Sequence, residues 1–236
     1  MTDDPDDYVE RRTAHDMFAC AWSRTVPSRP SGAPAPRVVP DGCADVLWHR
    51  ESGRLFVAGP DTHAHQTSLA PGLLVAVRFR PGRASAGLGV PADALRDGRV
   101  DLASVWLPAR ARRLADELAE SATPGRVLTT SVAGFGGSWD PFVPAVVSLA
   151  RRGVSVREIA AVVGVTERQL HRRCLAAFGY GAKVLSRVLR FDRAVRLARS
   201  GVSLASVAVE VGCSDQAHLS REVRGLAGVS LSALLG

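Results

Sequence analysis

Ser155-Val-Arg-Glu-Ile-Ala-Ala-Val-Val-Gly-Val-Thr166 and Ser203-Leu-Ala-Ser-Val-Ala-Val-Glu-Val-Gly-Cys-Ser214 are one pattern written twice, 48 positions apart. Superposition matches Ser155 with Ser203, Ile159 with Val207, Ala160 with Ala208, Val163 with Val211, Gly164 with Gly212 and Thr166 with Ser214. Each position has a mechanical reason. Ser155 and Ser203 cap a short first helix, and Ile159 or Val207 with the following Ala lets a partner helix approach closely. Gly164 and Gly212 supply the left-handed residue that ends it. Thr166 and Ser214 are expected to cap the next helix, Thr166 forming a capping box with Gln169 that Ala217 denies to Ser214. The pattern therefore predicts two helix-turn-helix units.

The second helix of each unit carries the functional argument. In the first, Leu170 and Cys174 lie four apart and face inward, leaving Arg168, His171 and Arg172 on another face. In the second, Leu219 and Val223 are the inward pair, and Gln216, Ser220, Arg221 and Arg224 remain outside. Arginine suits guanine edges and phosphates, glutamine suits adenine, and such a helix fits the major groove. A single cationic helix face is commonly just a solvated one; repetition at equivalent positions is what points to DNA. With Gln169, Arg173 and His218 added, these are the expected DNA-binding residues.

The segment resembles the DNA-binding domain of the AraC/XylS transcription regulators, in which one long helix joins two helix-turn-helix units. Gly212-Cys-Ser-Asp-Gln-Ala-His-Leu-Ser-Arg221, then Val223, Arg224, Gly228 and Ser230, follow that family's ending. An aromatic is usual where Cys213, Leu219, Val223 and Ala227 stand, and proline where Leu231 stands, so this core is built from smaller side chains. The resemblance implies a sequence-specific DNA-binding regulator, with double-stranded DNA as its partner.

Charge is divided in the same way. From Arg151 onward there are 13 Arg and one Lys against six acidic residues; the preceding 150 residues hold 16 Arg against 17 acids. The whole net charge of +7 thus belongs to the C-terminal third, the footprint of a polyanion partner attached to a near-neutral module. Lys183 is the only lysine in the chain. Four scattered cysteines without a Cys-x-x-Cys indicate a reducing compartment. An acidic start, Asp3 to Asp7, does not suit a secretory signal, and no stretch approaches a membrane span, so a cytoplasmic location away from membranes is expected.

Residues up to about Trp22 read as a helix, with Tyr8, Met17, Phe18 and Trp22 as apolar points; Pro27 to Pro36 reads as a loop. Strands are expected at Arg37 to Val39, Ala44 to His49, Leu55 to Ala58 and Leu73 to Phe79, divided by Asp41-Gly42, Ser52-Gly53 and Pro71-Gly72 turns. Ala84 to Leu88 and Pro91 to Arg96 read as short helical pieces, followed by a helix beyond Pro108. Gly125 and Gly134-Phe-Gly-Gly-Ser138 suggest a flexible break before a helix that Asp140-Pro141 starts. Lys183 to Ser200 reads as the long connecting helix. The fold class is α+β: a small β-rich N-terminal domain with flanking helices (1–121), a linker (122–139) and an all-α domain of two helix-turn-helix units (140–236). Val39-Pro-Asp-Gly-Cys-Ala-Asp45, Gly59-Pro60 and Val77-Arg-Phe-Arg-Pro-Gly82 are similar to a poorly characterised β-rich, sensor-like domain that precedes AraC-type domains. An unknown small-molecule effector is the partner this implies.

Other chemistry is sparse. Cys43, His49, His63 and His65 are the only set of metal-binding type, but their spacing defines no zinc site and His63 and His65 suit a surface loop, so no metal and no cofactor is expected. Asp41, in a Pro-Asp-Gly turn, should bond its own backbone. Arg78 and Arg80 alternate onto one strand face and are the candidates for holding an anionic effector. RNA polymerase and a second copy of the chain stand as further candidate partners. Two enzyme readings compete with the regulator: a DNA-repair protein, which needs more cysteine ligands than Cys20 and Cys43, and a cupin-type metal enzyme using His63 and His65, which lacks further clustered ligands. No catalytic residue is expected.

Overall fold

The computed structural model describes residues 8–28, 30, 35–67, 69–134 and 140–235. The N-terminal half is built on a six-stranded antiparallel sheet, in the order β1 (Val9–Arg11), β2 (Phe18–Val26), β7 (Gly72–Phe79), β4 (Ala44–His49), β5 (Arg54–Ala58) and β8 (Arg99–Asp101). A separate pair, β3 (Arg37–Val38) and β6 (His65–Gln66), is also antiparallel. Period-two alternation divides the sheet's faces. Val46, Trp48, Val57, Val75, Val77 and Phe79 point to one side, where they are buried under helices; Leu47, Phe56 and Ala76 point to the other and form a smaller cluster with Trp22.

The helical cover consists of α1 (Ala84–Leu88), α2 (Pro108–Glu120) and α3 (Pro124–Ala133), which bring Leu88, Leu114, Leu118, Leu128 and Val132 into that core. Two of these helices were expected. The third was not: α3 lies within the stretch read as linker, yet Leu128 and Val132 are fully buried in the sheet's core. Its start signal is Pro124 at the first helical turn, the position where a missing N–H costs least. Phe135 to Ser138, the rest of the expected flexible break, lie outside the described residues, as do residues 1–7.

The helix expected up to Trp22 is instead β1 and most of β2. Helical spacing of Tyr8, Phe18 and Trp22 is outweighed by pairing: β2 runs along β7 from Phe18 opposite Phe79 to Val26 opposite Gly72, with one bulge between Phe18 and Cys20. That partner lies more than 40 residues away in sequence, and strand formation depends on such neighbours more than on local preference.

The C-terminal half is all helical: α4 (Phe142–Arg151), α5 (Val156–Val162), α6 (Glu167–Phe178), α7 (Ala182–Arg199), α8 (Leu204–Glu210), α9 (Gln216–Ala227) and α10 (Leu231–Leu235). Its core runs through Val146, Ile159, Leu170, Cys174, Leu185, Val188, Phe191, Val195, Val207, Leu219 and Val223. The predicted turn chemistry is present: Gly164 and Gly212 have φ of 70° and 76°. Ser155 and Thr166 each form a full capping box, with Glu158 and Gln169. Ser203 accepts the Ser206 N–H. One cap differs from expectation. Asp215, not Ser214, caps α9: its Oδ1 accepts the His218 N–H at 2.6 Å, while Ser214 donates to the Asp215 carboxylate. Ionised carboxylate is the stronger acceptor and also faces the positive helix end. Among the described residues no helix is long and apolar enough to cross a membrane.

Two outcomes test this architecture. Leu128→Ala should destabilise the protein by about 2–5 kcal/mol in denaturant unfolding, the cost of a core cavity; a change within about 0.5 kcal/mol would return α3 to the status of a surface linker. Hydrogen bonds from the His218 N–H and then from Ser214 hold the Asp215 carboxyl below its usual range. A lowered folded-state pKa contributes stability that is present above the unfolded-state value and lost as pH falls through the folded value. Asp215→Asn keeps an acceptor but no titrating group, so it should flatten the acid limb of melting temperature against pH.

Candidate DNA-reading surface

Both second helices, α6 and α9, are twelve residues long and end in a left-handed glycine, Gly179 and Gly228. The inward lines are Leu170, Cys174 and Phe178 on one and Leu219, Val223 and Leu226 on the other, all buried. Rotation by four residues then fixes what remains outside. Arg168 and Arg172 form one exposed line on α6; Gln216, Ser220 and Arg224 form one on α9, with Arg221 beside it. None of these six side chains makes a hydrogen bond or ion pair among the described residues. Unspent donors on an exposed helix face are what a groove-reading surface requires.

The other four candidates have work within the protein. Gln169 accepts the Thr166 N–H at 2.9 Å in the capping box. Arg173 donates to the Asp140 Oδ2 at 2.7 Å and lies 3.8 Å over the Phe142 ring, tying α6 to α4. The His171 ring packs on Gly181, where a β-carbon would come within 2.6 Å of its Nδ1. His218 Nδ1 faces the Ser214 N–H and hydroxyl at 3.3 Å. Of these four, only Gln169 is set apart by local sequence, through its capping box with Thr166; the partners of Arg173, His171 and His218 are fixed by α4 and by the turns.

Between the units, Glu222 on α9 takes a bidentate pair from Arg190 on α7, at 2.7 and 2.6 Å. Cys213, His218 and Glu222 are the described grouping of metal-ligand type. Arg190 engages both carboxylate oxygens there, and burial, then Glu222, raises the Cys213 thiol. The cluster therefore reads as an ion pair beside a buried thiol. Cys43, His49, His63 and His65 do not form a cluster: His49 bonds Ser52, His63 bonds Thr62, and His65 accepts from Arg99. Burial, followed by the Arg99 charge, lowers the His65 pKa, keeping the ring neutral as that acceptor role demands. His65 thus sits in β6 rather than in a loop.

Arg78 and Arg80 part company at the strand end. Arg78 pairs with Asp45 at 3.1 Å and Asp41 at 3.6 Å, and the Asp45 charge holds its guanidinium firmly protonated. Arg80 lies beyond β7, exposed, and donates to the Asp16 carbonyl at 3.1 Å. Asp41 accepts the Cys43 N–H at 2.8 Å, the turn role expected of it. Both arginines line a groove of about 1460 Å³ between the two halves, whose other wall includes Val147, Leu189 and Arg193.

Residues 159–236 match a helix-turn-helix domain family, and residues 15–101 match a domain of unknown function (DUF6597). No curated protein matches the chain. Among solved structures, ToxT from Vibrio cholerae O395 has 13% sequence identity, covering 84% of this chain and 86% of its own, with a TM-score of 0.46. An apo variant of ToxT from Vibrio cholerae strain SCE256 has 11% identity, covering 98% and 96%, with a TM-score of 0.45. The regulator CdpR from Pseudomonas aeruginosa has 15% identity, covering 97% and 71%, with a TM-score of 0.35. The doubled unit on one long helix, matched over 159–236, makes the C-terminal part of this chain an AraC-type helix-turn-helix DNA-binding domain, and the chain a DNA-binding transcription regulator with a DUF6597 domain ahead of it.

Proposed function

We propose that the chain is an effector-responsive regulator that reads two major-groove segments of duplex DNA through Arg168 and Arg172 on α6 and through Gln216, Ser220, Arg221 and Arg224 on α9. The observation that carries this is the repeat of exposed, unpartnered donors on both second helices. With its 18 residues, α7 is about 27 Å long, suited to holding the two helices near successive groove faces about 34 Å apart. Gln169, Arg173 and His218 support this surface from behind, and His171 fixes the turn after α6. The sensor unit, in this reading, extends through α3 to residue 134, and the DNA-binding unit begins at 140.

The effector is proposed to be a small anion seated in the groove between the halves, where it would touch both. Arg80 is the better contact of the two expected, because Arg78 is neutralised by Asp45 and Asp41. Binding to chromosomal DNA would place the protein in the cytoplasm, and RNA polymerase or a second copy would be its protein partners there. Nothing in this reading requires a catalytic step.

The segment 140–236 should bind duplex DNA by itself, with affinity falling steeply as salt rises and counterions are released. A folded segment without affinity at low salt would remove the reading. Arg172→Ala and Arg221→Ala should each cost about 1–3 kcal/mol if the residue reads a base, with losses mapping to different segments about one helical turn apart. Footprinting and a base-substitution scan decide this; a uniform loss over all sequences, with a smaller salt slope, would mean phosphate contacts instead.

A further inference from the structure

The N-terminal domain touches the DNA-binding domain at the far ends of both recognition helices. At the end of α6, Arg96 Nη1 donates to the Gly179 carbonyl at 3.2 Å. There a β-carbon on Gly179 would stand 2.8 Å from Pro60 Cγ and 3.2 Å from the Ala92 carbonyl, so the fit allows no side chain. At the end of α9, Arg37 Nη1 donates to the Ala227 carbonyl at 2.9 Å, and the Ala64 N–H donates to the Leu226 carbonyl at 2.7 Å. The last carbonyls of a helix lack partners within it and carry its negative end, so a guanidinium is well matched to them.

These contacts come from one block. Gly59 N–H bonds the Gly98 carbonyl and Asp97 N–H the Pro60 carbonyl. Thr62 bonds the Asp97 carboxylate through its N–H at 2.7 Å and through its hydroxyl. Arg99 pairs with both oxygens of Asp61, at 3.0 and 2.8 Å, and Asp61 is buried. Residues 59–65 and 92–99 are thereby fastened to each other. Arg37 joins the block through β3, whose Val38 pairs with His65.

We propose that this block is a spacer that sets the distance between the two recognition helices, with Arg96 and Arg37 as its positioning residues, so that the N-terminal domain decides which separation of DNA segments the protein accepts. Within the DNA-binding domain the units are joined through α7 and its side-chain contacts. The block adds a second, independent link from the end of one recognition helix to the end of the other. It leaves free the N-terminal turns, the part of such a helix that meets base edges. A ligand that shifts the N-terminal domain would change the accepted separation without touching DNA. The proposal rests on the two-segment DNA reading above.

The test uses the full-length chain. Duplexes are selected from a random-sequence pool, the two contacted segments are located by footprinting, and the best site is remade with one or two base pairs added or removed between them. One base pair moves a segment by about 3.4 Å and about a tenth of a turn, enough to lose a base-reading contact. The unaltered protein should lose roughly tenfold in affinity per step. Arg37→Gln with Arg96→Gln should lose less than roughly threefold per step, the two altered separations becoming almost as good as the original. Arg37→Gln and Arg96→Gln taken singly should each broaden the profile in part. Circular dichroism melts confirm that each variant is folded. Folded variants that keep the sharp profile of the parent would overturn the spacer, as would selected sites holding one segment only. Failure of the parent to bind any duplex at low salt would instead sink the DNA reading, and the spacer with it.

Discussion

Everything in the C-terminal half hangs on burial against α7. Helices of seven and twelve residues are marginal in water, and those of the helix-turn-helix units persist because tertiary packing stabilises them. Leu185, Val188, Leu189, Phe191, Ala194 and Val195 of α7 are all buried, and they serve both units in turn. A single helix that is apolar along several faces therefore does what two separate cores would otherwise do. The inward lines of α6 and α9, Leu170–Cys174 and Leu219–Val223, are buried in this core, and the arginines of the exposed lines are left to solvent.

The sorting of those arginines is the second determinant. A basic domain needs to keep part of its charge unspent, and here the division is visible residue by residue. Arg173 is committed to Asp140, Arg190 to Glu222, Arg193 to Glu210 and Arg196 to Asp192. Those pairs join helix to helix or brace α7, and exposed ones of this kind add little stability. Arg168, Arg172, Arg221 and Arg224 are left without such partners and lie on the second helices of the two units. Asp192, Glu210 and Glu222 are thus spent on arginines of α7 rather than on those of α6 and α9.

How much of this was legible in the sequence depends on the range of the interactions. Caps and turns are decided within four residues, so Ser155, Thr166, Gly164 and Gly212 could be read directly, as could the inward lines Leu170–Cys174 and Leu219–Val223. The Asp215 cap is not legible because Ser214 occupies the repeat position and both are good caps; the choice is made by local geometry. The spacing of apolar residues up to Trp22 favours a helix because what makes β2 a strand lies in β7. Likewise the pairing of Arg78 with Asp45, 33 positions away, leaves no sign in the sequence. The links from Arg37 and Arg96 to helix-end carbonyls cannot be seen at all in a chain read one segment at a time, since backbone oxygens carry no sequence signature.

The near-absence of lysine bears on the surface proposed for DNA. Lys183 stands exposed near the start of α7, and every other cation in the chain is arginine. Acetylation and related acylations neutralise lysine amines, whereas guanidinium groups keep their charge. Metabolic states that acylate exposed amines across a cell would remove one positive charge among the 14 of this domain and none from the reading helices. A DNA contact made through these arginines would be insulated, by composition alone, from a covalent signal to which a lysine-rich surface would respond.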